Sequence, residues 1–219
     1  MTRMSDLVLL PLWVSGMLAT GCPWNAAAQE PLVQGSCADP RACIETLHRG
    51  LLELSRGEAG AGVEYRYARL EPLINATHDL AFIARVAVRR HWTEFSAEEQ
   101  QAFVRAFTRM SVMTYASRFV KLSEDTFRIL EVNESAADRA HVVARISRDS
   151  QPDIPMEYLL NDGAQGWRIV NVIADGVSDL ALRRAEYQRV LAEGSVADLI
   201  AELESQVEDL ASVRPPGTR

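Results

Sequence analysis

GWRIVNVIA, residues 166–174, is apolar at both of its alternating sets of positions. In an extended chain Trp167, Ile169 and Ile173 point to one side, and Val170, Val172 and Ala174 to the other. A strand with one face in water alternates apolar with polar, so this one is expected to be covered on both sides. The second cover is either a further layer of the protein's own helices or an apolar guest.

Reading outward, three more segments have period two: 126–132, 140–147 and 154–160. Turn-forming Asn133-Glu134-Ser135 and Asn161-Asp162-Gly163 follow the first and third of them. Consecutive strands joined by short turns make an antiparallel meander, here of four strands. The rest of the folded chain has helical period. A first helix is expected over 40–55, with Ile44, Leu47, Leu51 and Leu54 on one stripe, and Gly57, Gly60 and Gly62 interrupt it. A second covers 77–92. A third runs over 96–122 from a Ser96-Ala97-Glu98-Glu99 capping box. Its second half is apolar nearly all round, with Met110, Val112, Met113, Tyr115, Phe119 and Val120, and must be enclosed by other structure. Two more helices follow, over 177–192 and then from Ser195, the last with Val196, Leu199, Leu203, Val207 and Leu210 in a stripe. The plan is α+β: a curved antiparallel four-stranded meander packed with about five or more helices.

Composition narrows the class. The chain has 219 residues, 47% of them hydrophobic and 24% charged, which suits one domain with an ample core. A net charge of −7 argues against a nucleic-acid partner, which a basic stripe would announce. Residues 7–20, LVLLPLWVSGMLAT, are too short to span a bilayer and suit the apolar part of a secretory signal. Ala26-Ala27-Ala28 ahead of Gln29 forms a small-residue cleavage site, so 1–28 is expected to be a signal peptide and the protein periplasmic. Ala19-Thr20-Gly21-Cys22 partly resembles a lipoprotein processing site, although the usual Leu three positions before the Cys is missing. Anchoring at Cys22 is therefore a competing reading. The remaining chain divides into a flexible segment over 29–38, one domain over 39–211 and a disordered tail over 212–219. Cys37 and Cys43 bracket Asp39-Pro40, a helix cap and first-turn pair. In an oxidising compartment they are expected to form a disulfide. Two small buried thiols are the alternative.

The sequence contains no GxSxG, no HExxH, no Gly-rich phosphate loop and no paired CxxC. His48, His78, His91 and His141 fall on separate elements. His78-Asp79 has the make-up of an acid–base pair, but Thr77-His78-Asp79 equally reads as a helix start with an acidic first turn. Among the carboxylates near the sheet, Glu157 and Asp175 are the two worth testing as a general base. Arg89-Arg90 and Arg183-Arg184 are able to fork onto phosphate or carboxylate, or else are two solvated helix faces. No metal, no cofactor and no enzymatic activity are expected.

What the sequence has in excess is apolar surface. The strand before GWRIVNVIA places Met156, Tyr158 and Leu160 on one face and Leu159 on the other. Two accounts cover this excess. A sheet sandwiched between helices would pair all of it internally. Alternatively, a cavity lies between the sheet and the 96–122 helix, lined by Met, Phe, Tyr and Ile, as ligand pockets with few polar groups are. Moving a lipid chain through water costs roughly 0.8 kcal/mol per exposed CH₂, on the order of 12 kcal/mol for sixteen carbons. A dry cavity lowers that barrier for an exported carrier. Met adapts its shape to such a guest, and Tyr offers a polar tip at the mouth.

The stretches RYARLEPLINATHDLAFIARVAVRRHW, FSAEEQQAFVRAFTRMSVMTYASRF and PMEYLLNDGAQGWRIVNVIADGVSDLALRRAEYQRVL follow one another in this order. Together they resemble the MlaC-type periplasmic lipid-binding family, also called the toluene-tolerance auxiliary family. ATHDL, RMSVMTYASRF and DGVSDLALRRAEY look most like its hopanoid-associated branch, HpnM. The resemblance implies a non-enzymatic periplasmic carrier whose lipid ligand is a phospholipid or a hopanoid. It implies exchange with an inner-membrane lipid transporter and, in the MlaC branch, with an outer-membrane lipoprotein complex. The residues expected near the lipid tails are Met110, Met113, Tyr115, Phe119, Tyr158, Leu160, Trp167 and Ile169, with Phe82, Ile83 and Val86 as a further wall. An enzyme working through Glu157 or Asp175 on the same sheet, or a ligand-free adaptor of a membrane complex, are the rival readings.

Overall fold

A computed structural model describes residues 37–56, 62–119, 127–148 and 151–212, all within one compact unit, Pro31–Arg219. The expected signal peptide, Cys22, most of the 29–38 segment and the tail beyond 212 lie outside the described residues.

Helix α1, Pro40–Arg56, starts where the Asp39 carboxylate accepts the Ala42 N–H at 2.8 Å. It buries Ile44, Leu47, Leu51 and Leu54, and also His48. Helix α2, Val63–Thr77, was not expected from the sequence and holds Pro72 inside it. The helix tolerates it because Ala68, whose carbonyl the missing N–H leaves free, is exposed to water. Thr77 therefore ends a helix, where a start was expected. Asp79 then caps α3, Leu80–Val88, by accepting the Phe82 N–H at 2.9 Å. A 3-10 helix, Arg89–Thr93, follows through Arg89, whose φ of 55° stops α3. Helix α4, Ala97–Arg118, opens with the anticipated capping box, both bonds present. It ends at Phe119, short of the expected 122. Helices α5, Asp179–Glu193, and α6, Val196–Ser212, complete the six α-helices among the described residues.

The sheet has five strands, not four, in the order β1-β2-β3-β4-β5 and antiparallel throughout. They are β1 Phe127–Ala136, β2 Arg139–Arg148, β3 Gln151–Gly163, β4 Gly166–Ala174 and the two-residue β5 Val177–Ser178. The fifth follows from Asp175-Gly176, both at positive φ (51° and 75°), which form the two-residue turn that brings Val177 opposite Ala174. The expected turns at 133–135 and 161–163 are strand instead. Asn133 still pairs with His141 and Asn161 with Arg139, so ladder pairing overrides local turn preference and the hairpins turn later.

The register also resolves the double greasiness of residues 166–174. Leu160 sits opposite Ile169 and Leu159 opposite Asn171, so Val170 is an extra residue in a β-bulge. Beyond the bulge the phase flips. Val172 pairs with Tyr158 and Ala174 with Met156, which puts them on the same face as Trp167 and Ile169. The strand has one apolar face, not two. Its other face carries Arg168, Asn171 and Ile173. A second bulge, at Leu130 of β1, does the same for Phe127 and Ile129 before it and Val132 after it, and a third irregularity falls between Glu134 and Ala136.

The inner face is completed by Ala140, Val142, Ala144 and Ile146 of β2 and by Met156, Tyr158 and Leu160 of β3, all buried. Helix α1 crosses β1, β2 and β4, while α2, α3 and α5 cover β4. Helix α4 packs chiefly on α6, α2 and α3, and so lies within the helical layer instead of lining the sheet along its length.

Candidate functional site

Between the sheet and the helices runs a row of touching aromatic rings. His78, just after α2, meets Tyr115 of α4 edge-on at 5.5 Å, and Tyr115 stacks on Phe119 at 5.4 Å. Phe119 lies 6.4 Å from Phe127 of β1, which stacks on His48 of α1 at 4.2 Å. His48 in turn meets Tyr158 of β3, edge-on at 5.5 Å and by a 3.0 Å hydrogen bond between its Nε2 and the phenol oxygen. Four separate elements and the α2–α3 junction supply the row.

Its polar tips are closed on one another. The Thr77 hydroxyl donates to the Leu73 carbonyl at 2.9 Å, so toward His78 Nδ1, also at 2.9 Å, it accepts. That makes Nδ1 the protonated nitrogen and leaves Nε2 to accept the Tyr115 hydroxyl at 3.0 Å. Burial lowers His48 to about 3 and His78 to about 4, so both rings are neutral at pH 7. Burial also pushes the Tyr115 and Tyr158 phenols up, which keeps them protonated. The arrangement is a neutral, apolar wall with its hydrogen bonds satisfied.

Of the residues expected near a ligand, Tyr115, Phe119 and Tyr158 belong to this row. Leu160 and Ile169 sit opposite each other on the inner sheet face, with Trp167 on the same face, all buried. Met110 and Met113 are buried in the helical layer, where Met110 sulfur accepts from Arg183 of α5 at 3.2 Å. Ile83 is buried, while Phe82 lines a surface groove and Val86 offers its carbonyl to Arg184 at 3.3 Å. The predicted set is thus split between the sheet face, the helical layer and the surface. His48, His78 and Phe127 were missed. The signal for His48 was available, since it falls four residues after Ile44 on the buried stripe of α1.

The residues weighed for chemistry resolve individually. Asp79 is a helix cap. Glu157 accepts from His141 at 2.8 Å on the outer, half-exposed side of the sheet, away from the aromatic row. Asp175 is in the exposed β4–β5 turn. Arg183 is not a solvated face: it binds Asp179 at 2.6 Å and lies 5.0 Å over the Phe107 ring. Among the described residues no cluster of His, Cys, Asp and Glu could hold a metal, and no helix is long and apolar enough to cross a membrane.

Cys37 and Cys43 are thiols with their sulfurs 2.6 Å apart. The Cys43 hydrogen bond, helped by Arg168, holds the Cys37 thiol below its ordinary value, and the same contact pushes Cys43 up. The Cys37 carbonyl accepts the Trp167 N–H at 3.1 Å, which ties the start of α1 to β4.

Among the described residues, grooves open at two places on the surface. One, of about 620 Å³, runs between α1 and the start of β1 and is lined by Arg41, Arg49, Arg56, Arg128, His48 and Phe127 among others. The other, of about 650 Å³, lies over α3 and the first half of α4, with Phe82, Arg85, Trp92 and Arg105.

Comparison with known proteins accords with this architecture. A solved phospholipid-binding protein from Ralstonia solanacearum, in complex with a phospholipid, has the same fold with a TM-score of 0.72 at 18% identity. The match covers 80% of this chain and all of that one. A search of curated proteins finds no match. The MlaC protein family model matches residues 48–205, from the histidine of the aromatic row to the middle of α6, and the chain belongs to that family.

Proposed function

We propose that this protein is a periplasmic carrier that holds a lipid by its tails between the sheet and the helices and moves it between membrane complexes without altering it. The observation that carries the reading is the neutral aromatic row at that boundary. An apolar guest can displace rings along it without stranding a charge, because every ionisable member is uncharged at pH 7. The family membership and the phospholipid held by the structural neighbour support a phospholipid as ligand. ATHDL, RMSVMTYASRF and DGVSDLALRRAEY support the hopanoid branch, with a hopanoid as cargo and an inner-membrane transporter as partner. Release to an outer-membrane lipoprotein complex belongs to the phospholipid version.

Native purification followed by organic extraction and mass spectrometry tests this directly. A stoichiometric phospholipid or hopanoid is the expected result, and its identity selects the branch. Protein that carries no lipid, and takes none from vesicles of phosphatidylglycerol or of a hopanoid, would leave only a ligand-free role.

A further inference from the structure

We propose that the Cys37–Cys43 pair is a thiol–disulfide exchange site for small disulfides such as oxidised glutathione, with Cys37 as the entering sulfur, Cys43 as the resolving one and Arg168 as the cation beside them. Such a site stands apart from the aromatic row and does not depend on what the row carries. A pair that only staples two elements can be sealed at both sulfurs, and this one is not. Cys37 is partly exposed, whereas Cys43 is fully buried. Exchange uses that asymmetry: an accessible sulfur meets the incoming disulfide, and a shielded one displaces it.

Three elements fix the two sulfurs. The Cys37 carbonyl accepts the Trp167 N–H of β4, and Gly166, at a φ of 79°, leaves the room for it: a Cβ there would stand 3.0 Å from that carbonyl. Cys37 Sγ lies 3.5 Å from the Ala76 carbonyl near the end of α2. Cys43 Sγ, on α1, lies 3.4 Å from the Trp167 carbonyl and 3.6 Å from that of Thr77. A mixed disulfide formed on Cys37 is therefore held within reach of Cys43.

Arg168 converges on the same point. Its Nη1 donates at 2.9 Å to the Trp167 carbonyl that Cys43 also faces, and its Nε is buried without a hydrogen-bond partner. The Cys43 hydrogen bond, and then the guanidinium charge, favour the thiolate of Cys37 over burial and the Asp39 carboxylate, which oppose it. Asp39 is itself engaged as the cap of α1. The bond to Cys37 is also the largest cause holding the proton on Cys43. Capping Cys37 removes that bond, so the resolving thiol is freed at the step that needs it.

The electrons balance in two displacements. The Cys37 thiolate attacks one sulfur of the glutathione disulfide, the Cys37–glutathione bond forms, and one glutathione leaves as thiolate. Cys43 then attacks Cys37 Sγ, its proton passing to the second glutathione as that leaves. The protein dithiol loses two electrons and the glutathione disulfide gains them.

The test uses the full chain, reduced with dithiothreitol and freed of it, then treated with oxidised glutathione and followed by intact mass and peptide mapping. Cys43→Ser is expected to stop with one glutathione on Cys37, and Cys37→Ser to take glutathione on Cys43 about tenfold more slowly. Arg168→Gln should slow the Cys37 step about tenfold, and Arg168→Lys, which keeps the charge without the fork, should return it to within about threefold of the parent. Where a cysteine variant loses its fold by circular dichroism, brief labelling of the reduced parent with iodoacetamide decides, with Cys37 expected to react first. Equal rates at the two thiols, no reaction at either in the folded protein, or an Arg168→Gln rate equal to the parent's would each overturn the proposal.

Discussion

His48 and His78 are both about 6% exposed and hydrogen-bonded to tyrosines, and neither has room for a second proton. Their folded values, about 3 and about 4, lie below the 6.5 of a free imidazole. Above pH 6.5 both are neutral folded or unfolded, and their full contribution is present. As pH falls below 6.5 the unfolded chain takes up protons that the folded chain refuses, so stability drops by about 1.4 kcal/mol per unit for each ring. By pH 5 that is about 2 kcal/mol apiece. Urea unfolding at pH 7.5 and pH 5 should show the loss, and His48→Gln or His78→Gln should each remove roughly half of the histidine share. An unchanged difference in both variants would mean the rings are not the titrating groups. The scattering of the histidines along the sequence hid this role. Their partners Tyr115 and Tyr158 were legible as apolar-site residues, but only the tertiary fold brings each ring to its phenol.

At the scale of elements, the strongly periodic segments were readable and the phase-breaking ones were not. Helices α1, α4 and α6 followed from their stripes and caps. Helix α2 did not: its apolar residues Val63, Leu70, Leu73 and Ile74 form only a weak stripe, and Pro72 lies within it. GWRIVNVIA misled for a physical reason: counting by twos assumes an unbroken pleat, and Val170 breaks it. The short strand Val177–Ser178 beyond the Asp175-Gly176 turn was absorbed into the following helix, which was expected from 177. The cysteine pair belongs to this scale as well, since it pins α1 to β4. Incubation with oxidised glutathione should join them, the Cys37 thiolate attacking its disulfide with loss of one glutathione and Cys43 then displacing the second. Intact mass should then fall by two hydrogens. Reduction should cost about 2 kcal/mol, the modest value of a short loop. Free alkylation of both thiols in unfolded, unreduced protein would refute the bridge.

For the whole molecule, the layering decides how a ligand would register. The sheet meets α1, α2, α3 and α5, while Phe119 at the end of α4 reaches its β1 edge through Phe127, so a guest in the row wedges between sheet and helices. A ligand that binds only the folded layers raises their stability by about 2.7 kcal/mol at a hundred times its dissociation constant. Adding phosphatidylglycerol to delipidated protein should therefore raise the melting temperature by several degrees, and a flat response at saturating lipid would argue that nothing enters between the layers. The irregular β1 has a consequence of its own. It is the long outer strand of an open sheet, and such a margin invites a second copy to zip on and start a fibre. Two places where its spacing slips, with Leu130 thrown outward and Glu131 and Glu134 exposed, spoil the template. The molecule can thus be concentrated in a crowded compartment while keeping its backbone to itself.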